Sequence, residues 1–318
     1  MTTLARRVAD LHFADRFIEA ARRLGNPLCV GLDPHLEGIP QGFGVRPEEP
    51  ASDASADGVE RFFVAVLDGC AGKVPIVKPQ IAFFEQLGWR GLRALERLTA
   101  HARDRGLLVL MDAKRGDIGS TAKAYAQSYL YPSSPWRADA LTVNPYLGLD
   151  SLEPFLEASR AHGAGVFVLA RTSNPGAADF QSLNADGAPL YERVARALAP
   201  SAEGLRGSSG WSNVGVVAGA TYPEESERLR KLLPSALFLV PGYGAQGGSL
   251  ASALRGFVPS SDGSRRLEGG MISSSRGILF GSASVGASQA SSVADWQRGF
   301  VERLEAARRE VSAGVAGA

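Results

Sequence analysis

Cysteine, histidine and methionine are scarce in this chain, with two, four and three residues among 318. The two thiols stand apart, Cys29 in an apolar run and Cys70 in a helical pattern. They read as buried thiols of a reducing compartment, not as a disulfide or a nucleophile. His12, His35, His101 and His162 follow no metal-ligand spacing, which leaves neither a zinc site nor the base of a Ser/His/Asp triad. Net charge is almost absent at +1, and no basic block carries interleaved aromatics, so nothing electrostatic favours a nucleic-acid or anionic-membrane partner. No apolar run approaches the ~20 residues of a membrane span. Residues 1–16 mix charges through a helix-like pattern without the apolar segment of a secretory leader, so a cytoplasmic protein is expected.

What the chain does have is a recurrence of short, β-rich apolar runs: Leu28–Leu32, Val74–Lys78, Leu107–Ala113, Ala138–Asn144, Gly165–Ala170, Val214–Ala218, Leu237–Pro241 and Gly270–Ser274. Unbroken apolar runs suit parallel strands buried on both faces, and each gap is long enough for a crossover helix. The pattern predicts a single (β/α)8 barrel, the TIM-barrel architecture, over residues 1–318. An amphipathic helix at Phe13–Leu24 precedes the first strand and is placed to close the barrel floor. Gly38–Asp57, Gly204–Asn213 and Pro259–Glu268 read as surface loops or insertions, and Ser312–Ala318 as a frayed tail.

Polar residues collect at the ends of these runs. Asp33 ends the first, Lys78 the second, Asp112 and Lys114 the third, Thr142 and Asn144 the fourth; Arg171, Thr172 and Ser173 follow the fifth, Thr221 the sixth, the Gly242 loop the seventh and Arg276 the eighth. In a barrel all of these lie on the C-terminal rim, where such folds hold their active sites. The densest cluster is Asp112-Ala113-Lys114-Arg115-Gly116-Asp117. Strand alternation puts Asp112 and Lys114 on one face, and the turn carries Asp117 to the start of the next helix. Charges of alternating sign at adjacent strand ends hold the lysines as ammonium groups, which argues against a Schiff-base lysine. They point to chemistry that fixed side chains perform without a metal. Burying such a cluster is costly unless it serves a function, although a structural ion-pair network is the bland alternative.

The loop Pro241-Gly242-Tyr243-Gly244-Ala245-Gln246-Gly247-Gly248 contains a G-x-G-x-x-G match. It falls too late in the chain, and lacks the acidic residue at the next strand end, for a dinucleotide fold. After the seventh strand of a barrel, glycines instead permit backbone amides to approach a phosphate. Arg276, flanked by Ser274, Ser275 and Gly277, suits a fork on phosphate oxygens. Ser173-Asn174-Pro175-Gly176 is either a plain turn or a ligand contact at the rim.

Three elements together carry a family resemblance: the D-x-K-x-x-D-I element from Asp112 to Ile118, the glycine loop at 241–248, and Val77-Lys78-Pro79-Gln80 with Phe83, Phe84 and Glu85 after it. The chain resembles the orotidine 5'-monophosphate decarboxylases in their long bacterial form. That resemblance implies decarboxylation of a nucleotide to uridine 5'-monophosphate and CO2 in pyrimidine biosynthesis, with no cofactor and no metal. It further implies a homodimer and a catalytic tetrad of Lys78, Asp112, Lys114 and Asp117, with Lys114 as proton donor. Asp117 and Thr121 would reach into the neighbouring subunit's site. Asp33 matches the ribose-binding aspartate, Ser173 the pyrimidine-contacting serine, and Gln246 the glutamine bridging base and phosphate; Pro241 and Gly247 belong to the phosphate loop and Arg276 is its arginine. The extra residues at Pro259–Glu268 make Arg276 the loosest match. Two rivals stand beside this reading. One is a metal-dependent sugar-phosphate lyase or epimerase, whose relatives place a carboxylate where this chain has Lys78. The other is a non-catalytic phosphate-ligand barrel.

Overall fold

The computed structural model describes residues 12–243, 248–281 and 292–316. Strands β1 (Leu28–Leu32), β2 (Ile76–Pro79), β3 (Leu108–Arg115), β4 (Ala140–Val143), β5 (Gly165–Arg171), β6 (Ser212–Ala218), β7 (Ala236–Val240) and β8 (Gly270–Ser274) form a closed barrel in chain order. All are parallel, and closure comes from β8 lying against β1 with Leu28 opposite Ile272. The helices that matter below are α1 (Phe13–Leu24), α2 (Asp53–Cys70), α3 (Gly88–Asp104), α4 (Gly119–Leu130) and the last one, α5 (Val293–Val315). The expected (β/α)8 barrel is therefore present, with strand ends shifted by one or two residues.

Strand parity accounts for both the core and the site. Outward residues such as Val30, Val77, Val109, Val166, Val216 and Phe238 pack beneath the helices. Inward residues, among them Cys29, Ile76, Leu108, Leu110, Ala140, Phe167, Leu237, Leu239 and Met271, form a separate apolar cluster inside the barrel. Two buried faces are what produce unbroken apolar runs in the sequence. One further step of the same alternation turns Ile76 into Lys78, Leu110 into Asp112, Ala140 into Thr142 and Met271 into Ser273. The barrel is thus apolar at its floor and polar at its C-terminal mouth.

Helix α1 closes the floor as expected, since Phe13, Phe17 and Ile18 belong to the inner cluster. Phe13 meets Phe167 edge-on at 5.8 Å, and the first residue of β5 has to be glycine for it to do so. A Cβ on Gly165 would lie 2.5 Å from the Phe13 ring and 2.8 Å from Ala140. The helix is tied down by Arg16, 2.7 Å from Asp139, and by Asp15, which accepts the backbone N–H groups of Ser208 and Ser209 at 2.9 and 2.8 Å.

Those last contacts correct the reading of the three interrupting stretches as surface. Within 204–213, Trp211, Ser212 and Asn213 are buried, and the Asn213 amide accepts from Ala14 N at 3.0 Å. Within 259–268 a short hairpin pairs residues 258–259 with 267–268, and its Glu268 is buried against Arg22 at 2.6 Å. Within 38–57, Phe43 and Val45 join the core and Asp53 already begins α2. The frayed tail is corrected too: α5 runs to Val315, where Val311 and Val315, four residues apart, bury one face of the helix. Cys29 and Cys70 are free and buried, and burial pushes both thiols up to about 12.

Gly165→Ala should lower the unfolding free energy by about 1–3 kcal/mol, because the added methyl drives Phe13 from its seat. Urea unfolding measures this; an unchanged midpoint would mean that α1 can slide without loss.

Candidate active site

A cavity of about 400 Å3 opens at the polar mouth of the barrel. Leu169, Val217 and Leu239 line it beside Lys78, Gln80, Asp112 and Lys114, while Thr172 to Asn174, Pro241 to Tyr243 and Ser273 to Arg276 complete the wall. Its size falls within the range of small-molecule sites.

Asp112 is its electrostatic centre. One carboxylate oxygen accepts from Lys78 Nζ at 2.7 Å and Gln80 Nε2 at 3.1 Å. The other accepts from Lys114 Nζ at 2.6 Å and Thr142 Oγ1 at 3.0 Å. Burial by itself would raise this carboxyl, but the Lys78 and Lys114 ammonium groups outweigh it and hold Asp112 well below the usual carboxylate range. For Lys78 burial acts downward, and the Asp112 and Asp33 carboxylates more than reverse it, leaving the amine above an ordinary lysine. This pair is a fixed source of charge at neutral pH.

Lys114 reaches Asp112 through a break in the strand. Met111 faces Leu141 and Arg115 faces Val143, so β3 uses four residues where β4 uses two. Lys114 itself has φ 49°, in the left-handed region that side-chain-bearing residues avoid. Thr142 Oγ1 fastens the bulge by accepting the N–H groups of Ala113 and Lys114 at 3.0 and 2.9 Å while donating to Asp112. Bulges of this kind re-aim side chains next to active sites. Simple alternation predicts the Asp112–Lys114 pairing correctly; the bulge that achieves it has no glycine to announce it.

Two further groups lack protein partners. Asp33 Oδ1 and Ser275 Oγ are buried without a hydrogen bond, and both residues line the cavity. Gly31 makes room for them, since a Cβ there would lie 2.6 Å from Ser275 Cβ. Unpaired buried polar atoms are costly, so a ligand's hydroxyls would find ready partners here. Ser173 sits in a segment clamped from behind: Gln181 Oε1 accepts Thr172 N at 2.9 Å, and Arg171 is buried in an ion pair with Glu225.

Of the expected site residues, Lys78, Asp112, Lys114, Asp33, Ser173, Pro241 and Arg276 meet around one cavity. Gln246 and Gly247 lie outside the described residues. Asp117 and Thr121 do not line the cavity of their own chain: Asp117 precedes α4 and accepts Ile118 N at 2.8 Å, and Thr121 is exposed. Gln80, Thr142, Asn174, Tyr243 and Ser275 join the site without having been given roles by the sequence. Parity with Lys78 and Ala140 was the available signal for Gln80 and Thr142.

The pKa directions fix how stability should respond to pH. Asp112, depressed in the folded state, contributes stability that is present above the ordinary carboxylate pKa and lost as pH falls through the folded value. Lys78, raised, contributes stability present below the ordinary lysine pKa and lost as pH rises through its folded value. The difference in unfolding free energy between the wild type and Asp112→Asn should therefore be constant from about pH 5 to 9 and shrink below about pH 4. A difference that already shrinks near pH 6 would show that the two ammonium groups do not hold Asp112.

Comparison with known proteins agrees with this geometry. A model described as the orotidine 5'-phosphate decarboxylase / HUMPS family matches residues 26–268. An orotidine 5'-phosphate decarboxylase from Rhodopirellula baltica is 44% identical over 289 residues, covering 90% of this chain and 94% of the relative. One from Caldicellulosiruptor bescii is 37% identical over 280 residues, covering 85% and 90%. The solved structure of Leishmania donovani OMP decarboxylase superposes with a TM-score of 0.67 at 33% identity, covering 94% of this chain and 99% of that one. By sequence, barrel and cavity together, the chain belongs to the orotidine 5'-phosphate decarboxylase / HUMPS family.

Proposed function

We propose that the cavity converts orotidine 5'-monophosphate to uridine 5'-monophosphate and CO2 without a cofactor. The observation that carries this reading is a buried carboxylate held between two ammonium groups, with Asp33, Ser275 and Arg276 on the same cavity wall. The bond from pyrimidine C6 to its carboxylate breaks, CO2 leaves, and the electron pair stays on C6. That carbanion is poorly delocalised, so a preorganised cation beside it removes much of the barrier. Lys114 supplies the cation and then transfers its proton to C6, forming the C–H bond of the product. Asp112 faces the departing carboxylate and orients both lysines.

The remaining contacts position the nucleotide. Asp33 and Ser275 hold ribose hydroxyls, Ser173 meets the pyrimidine, and Arg276 with the glycine loop, including Pro241, Gln246 and Gly247, takes the phosphate. Binding energy gathered at the phosphate, remote from C6, can be used to close the site and lower the activation barrier. Asp117 and Thr121 complete a second copy's site in a homodimer. Supporting this, Ile118 and Tyr146, on the adjoining β3 and β4 rim loops, are 60% and 83% exposed, with Leu147 and Leu149 exposed nearby. Apolar side chains gathered in this way mark an interaction surface.

The family's sugar-phosphate branch is the second reading, and Lys78 argues against a metal-assisted version of it. Its ammonium occupies the place beside Asp112 where a divalent cation would be repelled. Loss of the orotidylate absorbance band on mixing with the protein, unaffected by chelator, tests the reading directly; tight nucleotide binding without turnover would leave a ligand-binding barrel. Lys114→Ala should abolish turnover with nucleotide binding largely retained, and near-normal turnover in that variant would remove Lys114 from the chemistry. Arg276→Ala should weaken the phosphorylated substrate far more than the bare nucleoside, and equal losses on both would place the phosphate elsewhere.

A further inference from the structure

Arg115 stands inside the charged motif, yet no role in the chemistry falls to it. Because Lys114 occupies the left-handed region, the residue after it leaves the cavity and its guanidinium lies on the outer side of the strand end. There Nη2 donates to Glu85 and, at 3.2 Å, to the hydroxyl of Tyr129. The guanidinium also lies 5.4 Å from the ring of Tyr125 and 5.9 Å from that of Tyr129, within cation–π reach. The backbone oxygen of Arg115 accepts Asn144 N at 2.8 Å.

Each partner belongs to an element that carries a charged group of the site. Glu85 ends the short helix Ile81–Glu85, which directly follows Lys78 and Gln80. Tyr125 and Tyr129 lie on α4, whose approach carries Asp117 and whose first turn carries Thr121. Arg115 itself adjoins the bulge that aims Lys114. On the inner side Thr142 fastens that bulge; on the outer side Arg115 does so, and it spans all three elements at once.

We infer that Arg115 is a positioning residue that sets the separation of Lys78, Lys114 and Asp117 by clamping the β2 and α4 segments to the bulge. This rests on the decarboxylase reading above. With the clamp gone, the strained turn can relax and the Lys114 ammonium drifts from its place. Misplacement of a reacting group by about 1 Å costs on the order of 100-fold in rate, whereas ribose and phosphate contacts made elsewhere in the cavity are untouched.

The test is steady-state decarboxylation of orotidine 5'-monophosphate by the full chain, with thermal unfolding measured alongside. Arg115→Met should lower kcat by about 10- to 100-fold with KM changed by less than about threefold. Arg115→Lys should recover only part of that loss, since a point charge cannot serve Glu85 and both rings together. Glu85→Gln should lower kcat in the same direction, and combining it with Arg115→Met should add little, as expected for two ends of one contact. A kcat within about threefold of wild type in folded Arg115→Met, a rise in KM matching the fall in kcat, or additive losses in the double variant would overturn the proposal. If Arg115→Met does not fold, Glu85→Gln and Tyr129→Phe carry the same test, and normal kcat in both overturns it. Wild-type protein without turnover would defeat the decarboxylase reading itself, and this proposal with it.

Discussion

A carboxylate taken out of water inside an apolar barrel survives only if every lone pair is answered, and Asp112 is answered by two ammonium groups and two neutral donors. The surroundings follow from that requirement. Lys78 has to end β2 on the inward parity, Thr142 has to end β4 on the same parity, and Lys114 has to be turned back by a bulge. Removing any one donor would leave a buried charge short of a partner. The same arrangement makes the cluster useful, because dipoles and charges already fixed in place need not reorganise when a substrate develops charge.

The barrel divides this work along its axis. At the floor, α1 and glycines such as Gly165 let aromatic rings fill the interior without voids. At the mouth the same strands present charges, hydroxyls and the unpaired oxygens of Asp33 and Ser275. A rigid base beneath a polar rim allows groups from several strands to be held in one geometry, which loops alone would hold less firmly.

How much of this was legible in the sequence depended on whether a feature has a periodic signature. Strands buried on both faces leave apolar runs, so the barrel and α1 could be read, and Lys78, Asp112 and Arg276 could be placed on one rim. The bulge at Lys114 could not, because its conformation is imposed by Thr142 and its neighbours instead of by a glycine. Trp211 and Glu268 were hidden among glycines, serines and charges that look solvated; their burial comes from contacts with Arg22 and Arg230 far away in the chain. The end of α5 was misread because small residues dilute the apolar spacing of Val311 and Val315. Asp117 is recognisable as a motif residue, but one chain alone gives it no partner in the cavity.

The most direct measurement is a crystal structure with a non-decarboxylating pyrimidine nucleotide bound. The account predicts pyrimidine C6 within about 3.5 Å of Lys114 Nζ, as a reacting pair requires, with Asp33 on the ribose, Arg276 on the phosphate, and Asp117 from a second copy beside Asp112. A nucleotide seated with C6 turned from Lys114, or a cavity mouth whose Asp112 and Lys114 make no contact with the base, would contradict it.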